Sequence, residues 1–216
     1  MNRTQHQVIS VMNLSPGTFL LRIERNQLTF EPGQYVILRE PGKSRGREYS
    51  IYSSLSDAYL DFLIREVDPG QFSKYLHNLL PGSFLELEGP KGFFILNEEA
   101  KNGHPLLFVA TGTGISPFHS FIYSFPTLNY RLLHGVRFPY ENYGLEAFSA
   151  GRLCLCTSQG KGDNYHGRVS TYLRENPITA GILCYLCGNS SMIEEVTGIL
   201  EHYGLPPQSI HTEIFF

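Results

Sequence analysis

The hydrophobic pattern of the first part of the chain is that of short β-strands. Up to about Glu88, segments in which apolar residues alternate with polar ones, or run together, are separated by turns containing Ser, Pro and Gly. They predict six strands, over residues 8–14, 18–25, 34–40, 47–53, 60–67 and 84–88. Apolar residues at helical spacing predict one helix over 71–80. Six short strands in succession predict an antiparallel six-stranded β-barrel, which the helix would cap.

The hydrophobic period changes from about Pro105 onward. Apolar runs typical of buried strands alternate there with helical stretches, which predicts an α/β doubly wound parallel sheet. The predicted strands cover 106–110, 130–136, 153–157 and 182–186, and the predicted helices cover 115–125, 141–147, 169–174 and 191–202. A polar stretch over 96–104 is the predicted linker. We therefore expect two domains, at residues 1–98 and 104–216.

A glycine turn after the first strand of the second domain is the leading candidate for a binding site. Thr111, Gly112, Thr113 and Gly114 follow an apolar run, and Pro117 suits the first turn of a helix. Backbone N–H groups at a helix start suit an anionic ligand such as a nucleotide phosphate. A tight connection without a ligand has the same pattern. The dinucleotide fingerprint GxGxxG is incomplete, because Pro117 stands in place of its third glycine.

Composition narrows the classes of partner. The 216 residues include 17 Lys and Arg against 20 Asp and Glu, a net charge of −3, which gives no broad cationic field for nucleic acid. No run approaches the roughly 20 apolar residues of a bilayer-spanning helix. No opening segment has the pattern of a signal peptide. We expect a cytoplasmic protein without a nucleic-acid or membrane partner.

The four cysteines occur in or next to predicted strands. Cys154 and Cys156 alternate within one strand, Cys184 lies in another, and Cys187 follows its end. A zinc or iron–sulfur site is the alternative for this CxC and CxxC pattern, but strand spacing explains both pairs. We expect no metal, three core cysteines and one functional cysteine, Cys187.

Five short motifs occur in order along the chain. They are RxYS from Arg47 to Ser50, Gly70 to Ser73 at a helix start, GTGxxP from Gly112 to Pro117, Cys187 to Asn189, and Glu213 to Phe216. Together they resemble the ferredoxin NADP reductase family of flavoproteins, particularly its bacterial members. The resemblance covers almost the whole chain and implies an FAD domain followed by a nicotinamide nucleotide domain.

The resemblance assigns the RxYS strand to FAD. It implies that Tyr49 packs flat on the isoalloxazine, that Arg47 pairs with the pyrophosphate, and that Ser50 hydrogen-bonds near the reactive central-ring nitrogen. Each residue type suits its task, since an aromatic face stacks, a guanidinium binds phosphate and a hydroxyl can donate or accept. The alternative for Tyr49 is an ordinary half-buried strand tyrosine.

The helix start and the strand before it are further expected FAD contacts. Gly70, Phe72 and Ser73 open the capping helix, and its N–H groups with the Ser73 hydroxyl can hold the same pyrophosphate. An ordinary N-terminal cap is the alternative. Arg65 and Val67 resemble the family's residues near the adenine half of FAD.

The resemblance implies three catalytic residues, namely Ser50, Cys187 and Glu213. Cys187, with Gly188 beside it, would line the slot where nicotinamide lies against the flavin, without covalent catalysis, and Glu213 would be the acid near the active centre. Phe215 and Phe216 would cover the flavin. Two phenylalanines exposed to water would forgo roughly 2 kcal/mol of transfer free energy each, so we expect them to be buried.

The coenzyme is expected to be NADPH rather than NADH. The nucleotide would bind at Thr111 to Gly114, and a 2′-phosphate could be held by residues at the carboxyl edge of the sheet, namely Arg137, Ser158, Lys161 and Arg168. The sequence departs from the bacterial NADP-dependent pattern after Ser158, because Gln159 stands where that pattern has arginine.

The function implied is electron transfer between the nicotinamide coenzyme and a small one-electron carrier, a separate ferredoxin or flavodoxin. The alternatives are a reductase component of a multicomponent oxygenase and a non-catalytic FAD-carrying subunit of a larger enzyme. We expect a monomer. An exposed cluster of Arg39, Lys43 and Arg45 beside Arg47 would attract an acidic carrier, or would simply keep a loop soluble.

Overall fold

The computed structural model describes residues 3–144, 148, 151–160, 164–179 and 181–215. Its strands are β1 Thr4–Ser15, β2 Thr18–Glu24, β3 Tyr35–Arg39, β4 Arg47–Ser50, β5 Tyr59–Arg65, β6 Phe84–Lys91, β7 Leu106–Thr111, β8 Tyr130–Val136, β9 Leu153–Thr157, β10 Tyr165–His166, β11 Leu183–Gly188 and β12 Ile210–Ile214. Its α-helices are α1 Gln71–His77, α2 Glu98–Lys101, α3 Ser116–Ser124, α4 Val169–Glu175 and α5 Ser190–His202. Within the described residues, no helix has the length and apolar character needed to cross a membrane.

The chain forms two compact units. The first runs to Ile95 and adds Ser116–Ser124, and the second comprises Leu96–Ile115 and the chain from Phe125 onward. The helix that follows the glycine turn, α3, therefore belongs to the first unit, although the turn belongs to the second.

The first unit is built on an antiparallel sheet in the order β4-β3-β6-β1-β2-β5. Its two edges approach each other just after β4, where the Tyr52 N–H donates to the Asp61 carbonyl on β5 at 2.8 Å. Alternation along β2 sends Phe19, Leu21 and Ile23 into the core, each with no exposed surface. This is the predicted six-stranded barrel arrangement.

Helix α3 packs within this first unit through both apolar and polar contacts. Phe118 and Phe121 are fully buried. The Ser120 hydroxyl donates to the Ser53 carbonyl at 2.7 Å, and His119 Nδ1 donates to the Tyr52 carbonyl at 2.8 Å. Burial lowers the pKa of His119 to about 4, so the ring is neutral at pH 7. The segment after β4 is thereby tied to α3.

The second unit is a parallel sheet in the order β10-β9-β8-β7-β11-β12. Its core joins the sheet to α4 and α5 through residues such as Val109, Leu173 and Val196. This confirms the predicted α/β class. The carboxyl ends of these strands carry the motifs that the sequence singled out, because parallel strands all end at one edge.

Several elements differ from those expected. The predicted linker contains α2, which Asn97 caps by accepting the Ala100 N–H at 2.8 Å. The helix predicted over 141–147 does not begin at Glu141, which ends a 3-10 turn from Pro139, and residues 145–147 lie outside the described residues. Strands β10 and β12 were not predicted. The first has two residues, and the second is a partly exposed edge strand without clear alternation.

Candidate functional site

The glycine turn lies where β7 ends, and it is held against the end of β11. Residues Gly112–Ile115 form a 3-10 turn that leads into α3. A Cβ atom on Gly114 would lie 2.4 Å from the carbonyl oxygen of Cys187. No side chain fits at this position, so the sequence requirement for glycine here is a close approach of two backbones.

Gly188 makes the matching approach from β11. Its φ is +146°, and a Cβ there would lie 2.1 Å from Thr111 Oγ1. Thr111 Oγ1 also accepts the backbone N–H of Asn189 at 3.3 Å and its side-chain Nδ2 at 3.0 Å. Asn189 in turn caps α5 by accepting the Met192 N–H at 2.9 Å. The turns after β7 and β11 are thus joined at the carboxyl edge of the sheet.

Two residues that the sequence did not single out as site residues hold backbone in this region, namely His134 on β8 and Glu141 in the 3-10 turn that follows β8. His134 Nε2 lies 2.9 Å from the Gly112 carbonyl oxygen. The carboxylate of Glu141 accepts the N–H groups of Arg137 and Phe138, at 2.8 and 3.0 Å. The sequence offers only two signals for these residues, a histidine within an apolar strand and an acidic residue shortly after that strand ends. Neither signal is specific.

The residues predicted for a 2′-phosphate lie beside this edge. Arg137 and Ser158 follow the adjacent strands β8 and β9, and Arg168 is the N-cap residue of α4. All three are exposed. The Gln159 N–H donates to the Arg137 carbonyl at 2.7 Å, which places Gln159 next to them. Lys161 lies outside the described residues.

Cys187 and Glu213 lie opposite each other on β11 and β12. Cys187 is fully buried, and burial, assisted by the charge of Glu213, raises the pKa of its thiol well above the ordinary value. The thiol therefore stays protonated, which does not suit a nucleophile. The Phe215 N–H donates to the Gly188 carbonyl at 2.8 Å, so half-buried Phe215 lies at the same edge. Phe216 lies outside the described residues.

Among the described residues, no cluster of three or more His, Cys, Asp or Glu side chains could hold a metal ion. All four cysteines are free thiols. Burial raises the pKa of Cys184 to about 12. Cys154 differs, because a hydrogen bond from Cys156 lowers the pKa of its thiol to about 7, and its side chain is only half-buried. Cys154 was expected to lie in the core, and its half-buried side chain agrees with that expectation only in part.

The first unit has a cavity of about 810 Å³ beside α1. It is lined by the loop after β3 and by the start of the helix, namely Glu40, Lys43, Ser44, Arg45, Gly46, Arg47, Pro69, Gly70, Gln71, Phe72 and Tyr75. Three of the predicted FAD contacts, Arg47, Gly70 and Phe72, are thus brought together. Three cations against one carboxylate make the lining electropositive.

An aromatic row continues from this cavity toward the RxYS strand. The Phe72 ring lies 5.8 Å from that of Tyr75 and 6.4 Å from that of half-buried Tyr49. Burial raises the pKa of Tyr49, so its ring stays uncharged. Ser50 is buried next to it on β4.

The other predicted FAD contacts lie near the start of α1 but do not line the cavity. Ser73 is buried, and its hydroxyl oxygen accepts the Val67 N–H at 3.2 Å. The Ser73 hydroxyl therefore stabilises the turn between β5 and α1. Gly70 is the N-cap residue of α1. Val67 is exposed, and Arg65 ends β5.

Arg39 is not the exposed docking cation that the sequence suggested. Only 8% of it is exposed, its Nη2 lies 2.8 Å from a Glu88 carboxylate oxygen, and its Nε donates to the Ser44 carbonyl at 3.2 Å. The expectation was wrong because Glu88, on the neighbouring strand β6, neutralises it. Arg39 instead anchors the loop that carries Lys43 and Arg45.

The residues of the first unit fit a flavin dinucleotide. A phosphate-bearing ligand requires cations at the cavity wall, and a flat ring system requires uncharged aromatic faces, and both are present. Arg47 and the start of α1 would hold the pyrophosphate, and Tyr49 would pack against a ring.

Comparison with known proteins identifies the first unit as an FAD-binding domain. Residues 4–95 match the family described as oxidoreductase FAD-binding domain. The chain is 32% identical to the toluate 1,2-dioxygenase electron transfer component of Pseudomonas putida, over 98% of this chain and 67% of that protein. It is 31% identical to ferredoxin–NADP reductase B of Sorangium cellulosum, over 96% of this chain and 95% of that protein.

A solved structure gives the same result. The crystal structure of an Amycolatopsis cytochrome P450 reductase superposes with a TM-score of 0.88 at 26% identity, covering 99% of this chain and 70% of that one. The chain thus spans about two thirds of the length of the dioxygenase component and nearly all of the Sorangium reductase. The chain belongs to the ferredoxin–NADP reductase family of FAD-dependent oxidoreductases.

Proposed function

We propose that this protein takes a hydride from NADPH, or less readily from NADH, and passes the electrons singly to a small carrier protein such as a ferredoxin or flavodoxin. The observation that carries the proposal is the carboxyl edge of the parallel sheet, where the turns after β7 and β11 pack closely at Gly114 and Gly188, while a Cβ on Gly112 would meet no atom within 4 Å. Bound FAD supplies the step between two-electron and one-electron chemistry. The chain's own residues bind and orient the reactants.

The second unit would bind the coenzyme. The turns at the carboxyl edge of its sheet would hold the coenzyme's pyrophosphate, and Arg137, Ser158 and Arg168 would hold the 2′-phosphate that distinguishes NADPH. Cys187 would line the nicotinamide position with a protonated thiol, which favours close packing over nucleophilic attack. Ser50 and Glu213 are the proposed polar catalytic residues, and Phe215 would cover the flavin ring.

The first unit would bind FAD. Arg47 is the proposed pyrophosphate ligand, and Lys43 and Arg45 line the same cavity. These two cations can therefore act on the phosphates of FAD as well as on an acidic carrier. Arg65 and Val67 are proposed for the adenine half. A monomer in the cytoplasm remains our expectation.

A reductase component of an oxygenase is the second candidate. The similarity to the toluate dioxygenase component, over 98% of this chain, favours it. The difference lies in the acceptor, since such a component would deliver its electrons to an oxygenase system. Reduction rates measured side by side with a flavodoxin, a ferredoxin and a terminal oxygenase distinguish the two functions.

Anaerobic titration tests the proposal directly. The purified protein is expected to be yellow from noncovalently bound FAD. Its visible absorbance should bleach with one equivalent of NADPH and return when an oxidised carrier is added. A folded protein, as judged by circular dichroism, that takes up no FAD or is reduced by neither coenzyme would overturn the proposal.

Coenzyme preference should respond to Gln159 and Arg168. A guanidinium at position 159 would add a charge-assisted hydrogen bond to the 2′-phosphate, so Gln159→Arg should lower KM for NADPH about tenfold. Arg168→Ala should raise KM for NADPH about tenfold by the same reasoning, with NADH little affected. Steady-state kinetics with both coenzymes measure this.

The matched control is Arg174→Ala, which removes an exposed arginine from the last turn of α4, paired there with Glu195 at 2.9 Å. It should leave both KM values unchanged. Equal losses for NADPH and NADH in Arg168→Ala would show that this side chain does not contact the 2′-phosphate.

A further inference from the structure

His134 is a fully buried polar side chain on the central strand β8. Its Nε2 lies 2.9 Å from the Gly112 carbonyl oxygen, and because a carbonyl can only accept, Nε2 carries the hydrogen. Its Nδ1 is buried and has no hydrogen-bond partner within the described part of the chain. Burial lowers the pKa of the ring to about 4, although the charge of Glu141 opposes this, so the imidazole is neutral.

A half-satisfied buried imidazole is costly for stability. An apolar side chain of similar size would leave no orphaned acceptor, and an unsatisfied buried polar atom is destabilising. Packing alone therefore does not account for histidine at this position. What the ring provides is a fixed donor aimed at the glycine turn.

That donor fixes the orientation of one peptide plane. In a trans peptide, the carbonyl and the following N–H point in opposite directions. When His134 holds the Gly112 carbonyl toward β8, the Thr113 N–H must point the other way. The 3-10 turn acts on this carbonyl from within, and His134 adds a second hold from outside the turn. Gly112 has a φ of +53°, a region that glycine enters with little steric resistance, so sterics contribute little to fixing the plane.

The two sides of the turn are then held from different strands. Thr111 is joined to Asn189 beyond β11, and Gly112 is joined to His134 on β8. We infer that His134 is a positioning residue for the pyridine dinucleotide, because its Nε2–H presets the peptide between Gly112 and Thr113 for the ligand's phosphate. The inference rests on the proposed function, since it requires a coenzyme at this turn.

A pair of amide substitutions tests the donor. Glutamine places an amide nitrogen where Nε2 stands, and asparagine places one where Nδ1 stands. Calorimetric titration with NADP⁺ should give an affinity within about twofold of the original for His134→Gln and about tenfold weaker for His134→Asn, the equivalent of one neutral hydrogen bond. FAD affinity, measured by flavin fluorescence, should be unchanged in both.

Equal affinity for NADP⁺ in all three proteins would overturn the inference, as would equal losses in the two variants, which would indicate packing alone. If the original protein binds neither coenzyme, the proposed function fails as well. The two failures are therefore distinguishable.

The unsubstituted protein offers a measurement that does not depend on whether a variant folds. The Nε2 proton of a buried, hydrogen-bonded imidazole is observable by NMR. If Thr113 donates to the ligand, the peptide becomes polarised and its carbonyl accepts more strongly, so NADP⁺ should move this resonance downfield. A resonance that stays in place at saturating NADP⁺ would overturn the inference.

Discussion

Replacing Gly188 by alanine is expected to destabilise the second unit by about 3 kcal/mol and to abolish measurable coenzyme binding. The φ of +146° strains any side chain, and the new methyl group would lie 2.1 Å from Thr111 Oγ1. Thr111 would have to rotate, losing its two hydrogen bonds from Asn189. Urea denaturation and coenzyme titration measure the two effects.

Gly198→Ala is the matched control. Gly198 lies within α5, and a Cβ there would meet no atom within 4 Å. Alanine is the better helix former by about 1 kcal/mol, so this substitution should stabilise the protein slightly and leave coenzyme binding unchanged. A Gly188→Ala protein as stable as the original would show that the two turns are not closely packed.

Substituting Arg22 by methionine is expected to cost about 3 kcal/mol of stability at pH 7, because it leaves a buried carboxylate without its partner. Arg22 Nε and Nη2 each lie 2.8 Å from an oxygen of Asp61, which is 4% exposed. The Asp61 backbone also holds the segment after β4, accepting from Tyr52 and donating to Ser53 Oγ. The pair therefore supports the strand end that carries Ser50.

The stability lost in Arg22→Met should depend on pH in a defined direction. Burial raises the pKa of Asp61 above its ordinary value even with Arg22 present, and removing Arg22 would raise it further. A carboxyl with a raised folded-state pKa binds its proton more tightly in the folded protein, so stability is lost as pH rises through that pKa. The deficit of Arg22→Met should therefore shrink on acidification below pH 7.

Two controls isolate this effect. In the double variant Arg22→Met with Asp61→Asn, the deficit should not change with pH, because no buried carboxyl remains. Arg174→Met breaks an exposed pair and should cost less than about 1 kcal/mol. An Arg22→Met deficit that grows on acidification would contradict the assignment.

The sequence predicted those parts of the fold that follow from local periodicity. Strands β8 and β9 were predicted with their observed bounds, because continuous apolar runs between turns mark buried parallel strands. Strand β12 was not, because at a partly exposed edge neither alternation nor a continuous apolar run is required. The glycine turn was predicted as a ligand site, whereas the packing of Gly114 against Cys187 and of Gly188 against Thr111 depends on the pairing of β7 with β11.

The features that the sequence did not predict depend on contacts between residues that are far apart in the chain. Arg39 looked like a surface cation, and only the alignment of β3 with β6 brings Glu88 beside it. His134 looked like one polar residue in an apolar strand, and its donor role depends on a turn 22 residues earlier in the chain. The cavity likewise requires that the loop after β3 meet the start of α1.

The assignment of α3 to the first unit bears on how this protein can be taken apart or recombined. The chain passes between the units after Ile95, after Ile115 and after Ser124, so no single cut separates them. A fragment ending at Ile95 would lack the helix whose buried Phe118 and Phe121 pack beside Phe94. Chimaeras between relatives would therefore have to exchange residues 116–124 together with the barrel, and a swap at the linker alone would pair each barrel with a foreign helix.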